Sequence, residues 1–204
     1  MARERQAKRR EEHEVEFSRI VAFSDGVFAI AITLLVLGFD VNGTSGHQLD
    51  SALWDQREQL LAYAISFAVI GRFWIIHHRF FGEVTAFDGR LLGLNLLYLA
   101  WIVLIPFSSE VLGDYGGETA AVVLYSANLA GVVAVGMLMH ADARRAGLTS
   151  IGDGAHREAR MRSLFLIAIF VASIPLAFAA PRITPFLWLI LFLDPATRLA
   201  RGRG

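Results

Sequence analysis

Arg72, His77, His78, Asn95 and Asp25 lie inside stretches that are otherwise apolar, which is where ionisable and amide side chains are expensive and usually face protein or water. Two chemistries suit such a set: a proton relay through Asp25 and the histidines, or a buried hydrogen-bond network that fixes helices against one another. A metal site fits less well. His77 and His78 are adjacent and point about 100° apart on a helix, whereas a helical chelate wants i, i+4 spacing. The chain has no cysteine, so thiolate sites and cysteine nucleophiles are excluded. It has no HExxH, GxSxG or phosphate-binding glycine loop, so nothing in it reads as an enzyme or calls for a cofactor.

The elements that carry these residues are membrane spans. Of 204 residues, 55% are hydrophobic and only 19% charged, and the charges are clustered, which favours an integral membrane protein over a soluble domain. Formal net charge is zero, which implies no nucleic-acid partner. About 20 apolar residues make a span. Six stretches qualify: 20–39, 59–81, 91–112, 119–140, 162–180 and 184–199. Pro106 in the third and Pro175 in the fifth are expected to kink their helices, and the sixth is short, with Pro195 close behind. The fold class is therefore all-α. Residues 1–18 form a charged N-terminal arm too long and too mixed for a signal peptide, 19–199 the six-helix domain, and 200–204 a tail.

Lys and Arg set orientation. Arg3, Arg5, Lys8, Arg9, Arg10 and Arg19 precede the first span, and Arg79 and Arg90 flank the second loop. Arg144, Arg145, Arg157, Arg160 and Arg162 follow the fourth span, and Arg198, Arg201 and Arg203 close the chain. The alternate loops carry Asp40, Asp50, Asp55, Asp114 and Glu118 against only Arg57 and Arg182. Both termini are thus expected in the cytoplasm. "NGTSGHQLDSALWDQ" reads as an external loop and "RRAGLTSIGDGAHREAR" as a cytoplasmic one.

At 1.5 Å per residue, Asp25 lies about 9 Å inward from Arg19. The second span leaves on the cytoplasmic side, bringing His77 and His78 to a similar depth. The third starts there and adds Asn95. Arg72 lies slightly deeper and could pair with Asp25. On the first span Ile30, Leu34 and Leu37 form an i, i+4, i+7 stripe, bordered by Thr33 and continued by Gly26 and Phe23. Lipid, another helix or a pore could face it. Ala127 with Gly131 and Ala130 with Ala134 provide small-residue faces on the fourth span for close helix contact.

"RIVAFSDGVFAIAITLLVL" carries Arg19, Phe23, Ser24 and Asp25 in an R-x-x-x-F-S-D pattern followed by an apolar helix. It resembles the opening helix of the prokaryotic branch of the transmembrane protein 175 family of potassium channels. "FWIIHHRFF" and "LNLLYLAWIVLIPFSSEVLG" extend the likeness; the last three spans share only hydropathy. The resemblance implies a homotetramer in a prokaryotic cell membrane, with four copies of the first helix lining a central pore for potassium ions, surrounded by lipid. It puts Ile30 at a hydrophobic constriction, Leu34 and Leu37 in further narrow rings, and Thr33 in a hydroxyl layer contributing to selectivity. Such a channel has no TVGYG filter, and neither has this sequence. Ser24 and Asp25 would then anchor the helix through Arg19, Arg72, His77 and Asn95 rather than bind ions. The rival readings are a proton-coupled transporter and a non-conducting membrane scaffold.

Overall fold

The computed structural model describes residues 2–39, 49–150 and 152–192, with side chains described over 15–39, 51–150 and 152–188. The side chains of Arg3, Arg5, Lys8, Arg9, Arg10, Asp40 and Asp50 lie outside that description, as do residues 193–204 with the end of the sixth expected span and Arg198, Arg201 and Arg203. The described elements are helices α1 (Ala2–Leu34), the short α2 (Leu49–Asp55), α3 (Arg57–Glu83), α4 (Gly89–Tyr115), α5 (Thr119–Arg145) and α6 (Asp153–Ala179), with 3-10 segments at Leu35–Gly38 and Thr184–Phe192. Among the described residues five stretches are long and apolar enough to cross a membrane: Val15–Gly38, Arg57–Glu83, Gly89–Tyr115, Thr119–Arg145 and Asp153–Ala179. The chain is an integral, multi-pass, all-helical membrane protein.

Each helix outruns the apolar stretch that announces it, because polar residues continue the backbone hydrogen-bond ladder into the interface. α4 runs through Pro106 and α6 through Pro175 without interruption. One expectation is corrected. The segment after α5 is no long loop, since α6 already starts at Asp153 and takes in much of it. Gly147, at φ 68°, makes the short turn possible. Its N–H donates to Arg144 O (3.1 Å) and that of Leu148 to Ala143 O (2.8 Å), the paired bonds of a Schellman cap. The same turn hydrogen-bonds the α3–α4 connection, Thr85 N–H to Leu148 O (2.8 Å) and Ser150 N–H to Glu83 O (3.0 Å). Asp88 caps α4 by accepting from the Leu91 N–H at 2.8 Å. Arg90 and Asp142 then tie α4 to α5 with a 2.9 Å ion pair.

α3 packs on α4, α4 on α5 and α5 on α6, while α1 lies across α3 and α4. α5 is the most enclosed, burying Val122, Tyr125, Leu129 and Val132 completely. Its small residues decide how closely α4 approaches. A Cβ on Gly131 would sit 2.6 Å from the Trp101 ring, and one on Gly136 3.3 Å from Tyr98. The 3-10 segment Thr184–Phe192 inserts Trp188 into the core, its ring 4.6 Å from that of Tyr125 and its Nε1–H donating to Ser173 Oγ at 3.3 Å.

Gly131→Val should overpack the α4–α5 contact by about 1–3 kcal/mol. The check is the thermal unfolding midpoint in detergent, where the midpoint should fall and a second change, Trp101→Ala, should recover part of the loss.

Candidate functional site: the anchored helix α1

The first link is Ser24, fully buried where α1 meets α4. Its hydroxyl donates back to Ile20 O at 2.9 Å and accepts from Asn95 Nδ2 at 3.0 Å. With its amide nitrogen thus engaged, Asn95 turns its carbonyl oxygen to His77, 2.8 Å from Nε2. The histidine therefore carries its proton on Nε2 in the neutral ring. His77 is boxed by aromatic rings: Phe81 at 4.7 Å, Phe28 at 5.3 Å and Tyr98 at 5.4 Å between centroids. Three helices meet in one chain of side-chain bonds, all in apolar surroundings that exclude competing water.

Asp25, the next residue along, points about 100° away and finds a different helix. Its Oδ1 accepts from Trp74 Nε1 at 2.8 Å. Ser24 and Asp25 thus grip α4 and α3 respectively. Trp74 is absent from the expected network, and its signal was available: it lies one turn before His77 and His78, and an indole N–H can only donate. Arg72 is buried on another side of α3, lining a cavity with Met139 and Arg162. Arg19 is exposed, and His78 lies tilted beside Trp74 with ring centroids 5.5 Å apart. The structure thus brings Ser24, His77 and Asn95 together, while Arg19 lies at the surface. Among the described residues no group of three or more His, Asp or Glu side chains could hold a metal ion.

The far end of this span is held as well. Gln59 Nε2 donates to Gly38 O at 2.9 Å, and Gln59 lies so close to Gly113 that a Cβ there would overlap it. Between the two anchors Phe28, Ala31 and Leu35 pack into the core. The opposite side is bare: Ile30 is 59% and Leu37 72% exposed, and Phe23, Gly26, Thr33 and Leu34 are also exposed. Thr33 turns its hydroxyl hydrogen to Ile30 O at 2.9 Å, which leaves its oxygen lone pairs outward. The face at a single chain's surface is therefore the predicted stripe, with one hydroxyl among apolar side chains.

A polytopic helical protein with a pinned helix and a bare, mostly apolar face is the class these observations define. Comparison with known proteins narrows it. Residues 19–106 match the family described as endosomal/lysosomal potassium channel TMEM175. A potassium channel of Streptomyces collinus is 44% identical over 107 residues, 52% of each chain. The endosomal/lysosomal proton channel TMEM175 of Gallus gallus is 37% identical over 111 residues, 50% of this chain and 22% of that one. The chain thus spans about half the length of the bacterial relative and about a fifth of the vertebrate one. The crystal structure of a lysosomal potassium-selective channel TMEM175 homolog from Chamaesiphon minutus superposes with a TM-score of 0.74 at 28% identity, covering 90% of this chain and 98% of that one.

Asn95→Leu should cost about 1–3 kcal/mol by orphaning the hydroxyl and the imidazole it bridges. Trp74→Phe, which keeps an aromatic ring but removes the donor to a part-exposed carboxylate, should cost less. Unfolding midpoints in detergent, measured side by side, test both the losses and their order.

Proposed function

We propose that the chain is a potassium-permeable cation channel whose conduction path is lined by α1. Six spans put both termini in the cytoplasm, with 1–18 as a cytoplasmic arm, 19–199 as the channel domain and 200–204 as a tail. Four copies assemble as a homotetramer in a prokaryotic cell membrane. Ile30 forms the hydrophobic constriction, Leu34 and Leu37 add narrow rings, and Thr33 contributes a hydroxyl layer. Potassium is the permeant ion, and the path needs no cofactor and no TVGYG filter.

The observation that carries this reading is a coincidence along the chain. The bare face of α1 falls wholly within the segment matched to the channel family, and so do both of its polar anchors to α3 and α4. Exposure alone would not single out α1, because Phe165 and Phe178 on α6 are equally bare and suit lipid. What distinguishes α1 is that it is held at both ends while its outward face mixes Gly26 and Thr33 with Ile30 and Leu37. A face turned to lipid has no use for that precision of placement.

Physically, a ring of isoleucines can close by dewetting, and an ion passing it sheds or compresses part of its hydration shell. Potassium holds that shell less tightly than sodium, so a neck of this kind prefers it, though modestly, because no ring of carbonyl oxygens replaces the lost water. Ser24 and Asp25 sit behind the stripe and hold it toward the axis. Asp25 belongs to the scaffold in this reading, which separates it from a proton-coupled transporter, where it would be the exchangeable acid.

Purified protein in liposomes should pass potassium faster than sodium under a calibrated potassium gradient. Ile30→Asn should wet the neck, raise potassium flux severalfold and lower the preference over sodium. Flux and preference both unchanged in that variant would remove Ile30 from the path. A monomer by mass measurement in mild detergent would remove the pore itself.

A further inference from the structure

α3 and α6 flank α4 and α5 without forming an extended contact with each other. Between them, toward the end of the bundle that holds the α3–α4 and α5–α6 turns, lies a cavity of about 220 Å³. Much of its wall is apolar, with Phe73 and Ile76 from α3, Val132 and Val133 from α5 and Leu166 from α6. Its charged lining is one-sided: Arg72, Arg79 and Arg162 against the single carboxylate Glu83, with His77 and His140 besides. Along α3, Arg79 lies about 10 Å nearer the turn than Arg72. The α6 wall is low, because Ala155, Ala159 and Ser163 recur at i, i+4 and i+8.

We propose that this cavity is a site for an anionic phospholipid, its phosphate held at Arg79 and Arg162 and the first part of an acyl chain lying between α3 and α6 along Ile76, Phe73 and Leu166. The charge fits: a basic recess between membrane helices suits a negative headgroup, and a guanidinium pair suits phosphate oxygens. The walls fit as well. A free phosphate would leave the apolar wall of the recess uncovered, whereas a chain covers it and stays continuous with the bilayer through the gap between the two helices. A zwitterionic headgroup would place a cation beside three arginines. The occupant bridges helices that scarcely touch, so it would brace α3, the helix that holds α1 through Trp74. None of this depends on whether the protein conducts.

The test is lipid binding to the purified full-length protein, counted per subunit by native mass spectrometry, with phosphatidylglycerol, phosphatidylcholine and soluble glycerol phosphate as probes. Phosphatidylglycerol should bind in preference to the other two. The double variant Arg79→Gln/Arg162→Gln should weaken it by about fivefold per arginine removed. Ala159→Phe, which fills the recess with both arginines in place, should abolish it. Equal binding of phosphatidylcholine, or undiminished binding by either variant, overturns the proposal. Glycerol phosphate binding as tightly as phosphatidylglycerol overturns it too, in favour of a soluble-anion site.

Discussion

The orientation of α1 depends on one buried amide. Asn95 gives its N–H to Ser24 and its carbonyl to His77, and no rotation of α1 or α3 keeps both bonds. In water such bonds would exchange with solvent at little net gain. Inside a membrane protein no solvent competes, and an unmade bond leaves a bare polar group in apolar surroundings. Gross helix association here comes from close packing, as at Gly131 against Trp101, but packing of apolar faces tolerates rotation. The polar pins do not, and so they determine which face of α1 is turned outward.

A second constraint works with the first. Consecutive residues on a helix diverge by about 100°, so Ser24 and Asp25 must address different neighbours. By bonding α4 and α3 respectively they fix both the rotation and the tilt of α1 at one end, and Gln59 fixes the other at Gly38. The stretch between carries the outward stripe. A polar pair next to a long apolar run thus looks anomalous for a bilayer segment, but it is what holds that segment's face in register. The same logic explains the aromatic box of Phe28, Phe81 and Tyr98 around His77, which excludes water from the amide's bonds.

Much of this was legible beforehand because it follows from rules that act along one chain. Spans announce themselves by length and hydropathy, and the stripe of Ile30, Leu34 and Leu37 by helical period. Depth counting placed Asp25, His77, His78 and Asn95 in one layer, because helical rise is constant and the spans alternate direction. Depth, however, carries no azimuth. Arg72, at a plausible depth for Asp25, lines a cavity with side chains of α5 and α6, and the carboxylate accepts from Trp74, which depth alone did not single out. Nor did composition reveal that α6 begins at Asp153, since a charged first turn reads as loop until the Gly147 cap is seen to reverse the chain.

By itself, then, the sequence determined the helical class, five of its spans, the charge asymmetry between loops and the apolar stripe on α1, all properties of local order and one-dimensional spacing. Only the tertiary structure decided which residues meet: Asn95 with Ser24 and His77, Trp74 with Asp25, Gln59 with Gly38, and the arginine-lined recess between α3 and α6. Those contacts join residues up to 71 positions apart. They depend on the rotation of each helix about its own axis, which small-residue contacts and buried polar bonds set jointly and which no periodicity within a single helix encodes.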